Sequence, residues 1–501
     1  MKVKLKRGLP RVTLQDLEDD KPEVIPTKVP LGLRTNGFSY LFRTKPYAHQ
    51  MAALRRARIL DGGAMLMEQG TGKTAVAIHF ICLKYLDGGF NKVLIVCPLT
   101  VMGVWIKEFG KHLPDSLRDQ IKVYRLSKNR KKRIKKLKAA LRAKRLRVVI
   151  TNYESAWRLE DEILRFKPNI IISDESHRIK SARAKQSKAM WRLGRAAKSR
   201  MILAGTPIIG GAFDVWSQWN FLNPKVFGDN WWRFQSYYLK KGGYWNKEII
   251  GYEHLDQLKA KVRANSFIIL KEECLDLPEK IFQRIPVELS DESKRLYNEM
   301  ATNLVAEIED GSVSTAPIVL VKLLRLSQIT GGFLKDLDGD IHNVGTEKLK
   351  SCVELIEDRV GDGHQIVVFA RFRHEISRLE ETLLKRKISC CTLTGSTKNR
   401  DEIIEQFQEG MYSVFIAQIQ AGSLGITLTA ANTAIFLSLD FSLGNYLQAI
   451  DRLHRIGQHS NVTYIHLLVP HSIDELVYKA LKSKESLAKF ILKRPRAILL
   501  K

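Results

Sequence analysis

From Tyr40 onward the apolar positions fall into short unbroken runs, separated by stretches whose apolar residues recur at helical spacing. The runs at 64–67, 93–97, 148–151, 170–173 and 201–203 are rich in β-branched residues and bounded by Gly, Pro or Asp. Such runs are the mark of strands buried on both faces. Strands alternating with helices predict right-handed crossovers and parallel sheets covered on each side. The rhythm breaks between 208 and 345, where five of the eight tryptophans cluster (Trp216, Trp219, Trp231, Trp232, Trp245) and a mostly helical insertion is expected. It resumes with runs at 366–370, 391–393, 414–417, 435–438 and 464–469. The fold class read from this pattern is α/β: two lobes joined through a helical insertion. Residues 1–36, with four prolines, read as an arm. Lobe 1 is placed at 37–270, the insertion or lobe crossing at 271–345 and lobe 2 at 346–501.

Composition narrows the picture. Lys and Arg number 82 against 53 Asp and Glu, a formal charge of +29, which favours a polyanionic partner. The six cysteines form no Cys-x-x-Cys pair and read as reduced thiols. The longest apolar stretch, 93–105, is too short to span a bilayer and is broken by Pro98. The basic start lacks the apolar core of a secretory signal.

Three motifs carry chemistry. Glu68-Gln69-Gly70-Thr71-Gly72-Lys73-Thr74 follows an apolar run. Glycines there let backbone N–H groups wrap phosphate oxygens, Lys73 neutralises the terminal phosphates, and the Thr74 hydroxyl suits Mg²⁺. The strict phosphate-loop pattern has Gly where Met67 stands. Downstream, 170–177 ends in Asp174-Glu175-Ser176-His177. Asp174 suits Mg²⁺, and Glu175 suits orienting and deprotonating an attacking water. The third motif runs from Gln448 to Gln458 and carries Arg452 and Arg455, which share one face if the segment is helical. Paired guanidinium groups suit the charge of phosphoryl transfer, and equally a basic surface helix.

Together with Leu203-Ala204-Gly205-Thr206-Pro207, Pro46-Tyr47-Ala48-His49-Gln50, Thr151-Asn152-Tyr153-Glu154, Leu277-Pro278-Glu279-Lys280 and Ala421–Thr433, these strings resemble a superfamily-two helicase motor. More narrowly they resemble the Swi/Snf family of DNA translocases, His454-Arg455-Ile456-Gly457-Gln458 being the most specific. The resemblance runs from about Tyr40 to Lys484. It implies two RecA-like lobes, ATP and Mg²⁺ as cofactors, and DNA, mainly duplex, as the track. It implies that Gln50 recognises adenine and that Gly205 and Thr206 couple hydrolysis to movement. Gly422 to Thr429, Gly425 among them, would touch ATP and the DNA backbone. Gln448, Arg452 and Arg455 would complete the ATP site. Pro98, Thr151, Phe369, Gly395 and Gly422 fall in the nucleic-acid-facing motifs. The sequence departs from the family at Thr71, at Gly210, at Ile268 and Ile269 where an arginine pair is common, and over 441–447.

Residues 122–147 hold fourteen Lys or Arg and no acid. Ile134, Leu137 and Leu141 are expected on one helical face, with solvated charge or a DNA-backbone contact around the rest. Rival functions are a strand-separating or branch-migrating DNA or RNA helicase, and an ATP-gated clamp without turnover. Little chain is left outside the motor for accessory modules. That economy suits a bacterial or bacteriophage protein acting in repair, replication or recombination. The expected setting is the cytoplasm, or the nucleus in a eukaryote.

Overall fold

A computed structural model of the chain describes residues 32–35, 38–126, 129–205, 213–242, 248–309, 316–336, 338–422 and 426–482. Apart from 32–35 the N-terminal arm lies outside the described residues, as does Trp245. The chain divides into two units, Met1–Asp276 and Leu277–Lys501, and the division falls inside the segment read from sequence as a lobe crossing.

Among the described residues, the first elements of unit 1 are an antiparallel pair, β1 (Gly32–Thr35) and β2 (Phe38–Leu41). Then come β3 (Gly62–Met67), β4 (Lys92–Cys97), β5 (Ile121–Arg125), β6 (Leu146–Asn152), β7 (Ile170–Asp174) and β8 (Ser199–Ala204). A second antiparallel pair, β9 (Leu239–Gly242) and β10 (Glu248–Tyr252), precedes β11 (Ser266–Ile269). Seven strands form one sheet in the order β11-β3-β8-β7-β4-β6-β5, every pairing parallel. Both faces are covered. Val93, Ile95 and Cys97 of β4 enter one apolar cluster, and Leu94 and Val96 enter another. Continuous apolar runs are what such a strand requires, because each successive side chain meets a core.

Unit 2 contains β12 (Lys280–Pro286), the antiparallel pair β13 (Phe333–Lys335) and β14 (Ile341–Asn343), and β15 (Ile366–Ala370). These are followed by β16 (Cys390–Leu393), β17 (Val414–Gln418), β18 (Thr433–Phe436) and β19 (Val462–Leu468). Its sheet runs β12-β19-β18-β15-β17-β16, again parallel throughout. The two lobes expected from the hydrophobic rhythm are thus α/β units of RecA-like type.

The region from 208 onward is less helical than its composition suggests. Helices Phe213–Leu222, Trp231–Tyr238 and Leu255–Ala264 are interleaved with β9, β10 and β11. Trp216 and Trp219 are buried as core, and β12 lies on the edge of the second sheet. The basic segment is also composite. Lys122 and Arg125 sit in edge strand β5, helix Arg130–Arg142 follows, and Arg147 is already inside β6. Leu137 and Ala140 of that helix are buried and Ile134 is half-buried, but Leu141 is 38% exposed. The apolar stripe therefore follows a three-residue step, 134–137–140, rather than turning to 141.

A buried polar node ties three helices of unit 2 together. Lys348 Nζ lies 2.5 Å from Asp474 Oδ2, and both side chains are buried. Thr330 Oγ1 donates to Asp474 Oδ1 at 3.0 Å, and the Val469 N–H donates to Oδ2 at 3.2 Å. A buried charge stripped of its counter-ion is costly. Lys348→Met is expected to lower the stability of unit 2 by about 3–5 kcal/mol in denaturant titrations. A loss below about 1 kcal/mol would show that the pair is not what holds these helices.

Candidate functional site

The C-terminal ends of β3, β8 and β7 are adjacent and level: Leu66 pairs with Ala204, and Leu203 with Asp174. Whatever follows these strands is delivered to one edge. After β3 comes the glycine loop. Gly70 and Gly72 have φ of 87° and 86°, a region open to glycine at little cost. Thr71 Oγ1 donates to the Glu68 carbonyl at 2.7 Å. The Thr71 carbonyl accepts from His49 Nε2 at 2.8 Å and Gln50 Nε2 at 3.1 Å. Burial lowers the His49 pKa, consistent with a neutral ring. A Cβ on Gly72 would stand 2.1 Å from Gln50 Nε2, so the loop and Gln50 fit only without one. Gln50 Oε1 accepts from the Tyr47 N–H at 3.1 Å, so both ends of its carboxamide are engaged. Beside it a cavity of about 470 Å³ is lined by Tyr47, Ala48, His49 and 272–276.

Gly72 caps helix Lys73–Gly88, which aims its N-terminal N–H groups at this edge. Lys73 Nζ donates to the carbonyls of Met67 (2.7 Å) and Glu68 (3.2 Å), and Thr74 is half-buried in the first turn. Beyond β8, a Cβ on Gly205 would lie 2.8 Å from Gln69 Cγ and 3.4 Å from Lys73 Nζ. The end of β8 therefore packs directly on the loop. Thr206 and Gly210 lie outside the described residues.

Asp174, at the end of β7, is buried. Trp105 Nε1 donates to its Oδ2 at 2.8 Å, and the Glu175 N–H donates to its Oδ1 at 3.0 Å. The Tyr153 hydroxyl donates to the Asp174 carbonyl at 2.6 Å. Desolvation and the neighbouring Glu175 push the Asp174 carboxyl up to about 6, against the pull of Trp105 and Lys73. Glu175 has φ of 51°, unusual for a side chain of that size, and its Oε2 lies 3.3 Å from His177 Nδ1. Trp105, on helix Met102–His112, was not foreseen as a partner of Asp174. Nothing local in its sequence marks it, because the contact spans 69 residues.

In unit 2 the third motif is not one helical face. Helix Leu443–Ile450 ends before the arginines, and Arg452 and Arg455 sit in the turns after it. They still converge. Arg452 Nη1 and Arg455 Nη1 donate to the same Ile426 carbonyl at 3.3 and 3.1 Å, and Arg452 Nε donates to the Gln448 carbonyl at 2.9 Å. Gln458 Nε2 donates to the Ala431 carbonyl at 2.9 Å, while its Oε1 accepts from the N–H groups of His459 and Ser460 at 3.1 Å. His454 Nε2 meets the Pro278 carbonyl at 2.7 Å. Gly425 lies outside the described residues.

Of the residues read as nucleic-acid-facing, Pro98 directly follows β4, Gly395 is exposed just after β16, and Gly422 ends the short helix after β17. Thr151 and Phe369 are fully buried within β6 and β15. Their side chains do not face outward, because both faces of each sheet are covered. Phe369 is stacked on Phe436 at 5.2 Å.

Residues 49–330 match the SNF2-related domain, and residues 347–457 match the helicase conserved C-terminal domain. The chain belongs to the SNF2-related family. Among its SNF2-related relatives is "Uncharacterized ATP-dependent helicase MG018" of Mycoplasma genitalium, 28% identical over 438 residues, covering 85% of this chain and 40% of that one. Another is "ISWI chromatin-remodeling complex ATPase ISW1" of Saccharomyces cerevisiae, 24% identical over 479 residues, covering 91% and 41%. The chain thus spans about 40% of the length of these curated relatives. A solved structure, "Sulfolobus solfataricus SWI2/SNF2 ATPase core in complex with dsDNA", is 24% identical, with TM-score 0.43 and coverage of 94% and 97%. Among the described residues no helix is long and apolar enough to cross a membrane.

The donor set fits a nucleotide with Mg²⁺. Among the described residues no cluster of three His, Cys, Asp or Glu stands ready for a metal. Mg²⁺ usually takes one or two protein ligands, with phosphates and waters completing its shell. Asp174 and Thr74 are the residues that would hold it.

The raised pKa of Asp174 gives a stability prediction. Its folded value, about 6, lies above the ordinary 3.8, so the folded state binds this proton more tightly than the unfolded chain. The stability it contributes is present below about pH 4 and lost as pH rises through about 6. Asp174→Asn removes the buried charge and keeps one of the two acceptor oxygens, so either Trp105 Nε1 or the Glu175 N–H loses its partner. The variant is expected to be more stable than wild type above pH 6, by roughly 1–3 kcal/mol, with the gap closing towards pH 4. A variant less stable than wild type at pH 8 would show that the site holds the ionised carboxylate favourably.

Proposed function

We propose that this protein is a nucleic-acid-stimulated ATPase that uses hydrolysis to translocate along duplex DNA, in repair, replication or recombination. One observation carries the reading: the phosphate-binding loop, Lys73, the Asp174-Glu175 pair and Gly205 gather at one edge of a parallel sheet. Ligands of open α/β sheets bind outside the carboxyl ends of the strands.

Each residue then has a defined task. The loop N–H groups and the N-terminus of helix Lys73–Gly88 bind phosphate oxygens. Lys73, now on two neutral carbonyls, exchanges them for an anion, a stronger partner for an ammonium. Bound Mg²⁺ neutralises phosphate charge, and Asp174 with Thr74 would hold it. Glu175 orients the attacking water and takes its proton. Arg452 and Arg455 stabilise charge developing on the transferred phosphoryl group. Gln50 and the cavity beside Tyr47 receive the base.

Pro98 and Gly395, placed just beyond strand ends, and Gly422, at the end of the short helix after β17, are assigned to the DNA backbone. Grip through phosphates is tolerant of sequence and sensitive to salt. Helix Arg130–Arg142, whose exposed face carries Lys131, Lys132, Lys135, Lys136 and Lys138, adds an auxiliary contact of the same kind.

The primary test is steady-state ATPase activity alone and with duplex DNA, single-stranded DNA or RNA, using Glu175→Gln as the blank. Stimulation by duplex DNA is expected; stimulation confined to single strands or RNA would make the protein a conventional helicase, and no turnover with any would make it a clamp. Lys73→Ala should weaken ATP binding. Arg455→Ala should leave ATP affinity unchanged and lower turnover by about a thousandfold or more. Equal rates for Arg455→Ala and wild type would remove that residue from catalysis. Replacing Lys131, Lys132, Lys135 and Lys136 with Gln should flatten the salt dependence of duplex binding, by up to about 0.9 in logarithmic slope for each lysine–phosphate pair removed. An unchanged slope would leave this helix as solvated surface.

A further inference from the structure

The eight residues of helix Trp231–Tyr238 include five aromatics, more than its packing uses. Phe234 and Tyr238, four apart, are buried, and Trp231 packs on Trp216 and Phe234 with ring centroids at 5.2 and 5.7 Å. Those three rings anchor the helix to unit 1. Trp232 and Tyr237 lie on the opposite arc and remain 66% and 42% exposed. Arg233 and Ser236, also exposed, lie between them on that arc. At 1.5 Å per residue the two aromatic positions are about 7.5 Å apart along the axis, far enough for each ring to act alone.

The surroundings are cationic and ordered. Tyr237 is stacked on His254 with centroids at 4.3 Å and planes 17° apart, giving a two-ring shelf. Lys241, exposed on β9, holds its Nζ 5.7 Å from the Trp232 centroid and 3.3 Å from Gln235 Oε1. Lys240, the next residue on the strand, is exposed, and the adjoining segments carry the exposed acids Asp229, Glu253 and Asp256. His254 has φ of 51°, a conformation that costs free energy in a non-glycine residue, yet it places the ring on Tyr237.

Scattered exposed apolar residues are ordinary. Two exposed rings, with Arg233 between them on the helix and Lys241 over Trp232, are a specific arrangement. The cations suit phosphates. The free ring faces suit bases, but bases inside a duplex are already stacked on each other and offer no face. Unpaired nucleotides offer both groups at once. We propose that this patch binds single-stranded nucleic acid, stacking one base on Trp232 and another on the Tyr237–His254 shelf, with Arg233 and Lys241 on the backbone. The site lies between β8 and β11 in the chain, outside the nucleotide loop. It goes beyond the duplex-motor reading by adding a binding mode for a displaced or flanking strand.

The test uses the full chain without nucleotide, titrated into fluorescently labelled oligothymidylate and, separately, into a labelled blunt duplex. Removing one stacking platform typically weakens binding about tenfold. Trp232→Ala and Tyr237→Ala are each expected to weaken oligothymidylate binding by that order, and the double variant by more. Trp232→Phe should retain most of the affinity. Blunt-duplex affinity and duplex-stimulated ATPase should change less than twofold in all of them. Unchanged oligothymidylate affinity in a folded double variant would overturn the proposal, as would an equal loss for both ligands. Wild-type protein that binds oligothymidylate through these residues but is not stimulated by duplex would keep the patch and sink the duplex-motor reading.

Discussion

Parallel strands cannot be joined by tight turns, so each connection must cross a face of the sheet and return to the same end. In both units that constraint decides where chemistry falls. Lys73, Asp174 and Gly205, the first more than a hundred positions from the other two, are brought to one edge because β3, β7 and β8 share a direction and are neighbours. The same constraint forces the strands to be apolar on both sides. Hydrophilic groups then fall chiefly at the strand ends and just past them. The glycine loop, the carboxylate pair and Gly205 all occupy such positions.

That placement sets up an electrostatic tension. Asp174 is polar enough to need partners and buried enough to resist ionising. It takes a hydrogen bond from Trp105 and another from the backbone of Glu175, and Lys73 supplies an opposing charge. Lys73 meanwhile is held by two carbonyls at the end of β3. The two groups act on one another, and each also takes hydrogen bonds from or to neutral groups. Such a site is preorganised for a ligand that brings its own charge, since neutral partners are given up at lower cost than an ion pair. The left-handed backbone at Glu175 fits the same pattern of local strain tolerated at a functional edge.

Ten of the thirteen strands in the two large sheets were legible in the sequence, because a strand buried on both faces has to be a continuous apolar run. The three that were not share a physical reason. β5, β11 and β12 are all edge strands: partial exposure permits Lys122 in β5 and Gln283 in β12, while β11 is a largely buried run of only four residues that opens on Ser266. β5 in particular was hidden inside the basic segment, and its neighbour helix buries Ala140 where Leu141 was expected. The glycine loop and the carboxylate pair were legible as segments because each is a string of short spacing at the end of an apolar run. Trp105 and Tyr153 were not, because partnership with Asp174 depends on which strands become neighbours. Thr151 and Phe369 show a different limit of reading by motif. A motif marks a segment, but the alternation of a strand decides which of its side chains can reach a ligand, and both of these point into core.

The arginine motif makes the distinction between chemistry and support sharper. Spacing suggested a helical face, yet the helix ends at Ile450 and the two guanidinium groups meet through turns. What holds those turns is the remainder of the string. Gln458 bonds at both ends of its carboxamide to main-chain groups, His454 fixes the segment to Pro278, and the Arg452 carbonyl accepts from the Leu428 N–H at 3.0 Å. Arginines in turns have no helix to set their direction, so direction must come from side chains that bond backbone on either side. That is why His-Arg-Ile-Gly-Gln is more specific than two arginines three apart. The arginines alone are what any basic surface carries, whereas His454 and Gln458 are needed only if the guanidinium groups must point one way. The residues that make the motif recognisable are therefore chiefly its scaffold, and the residues assigned to chemistry are the ones that scaffold aims.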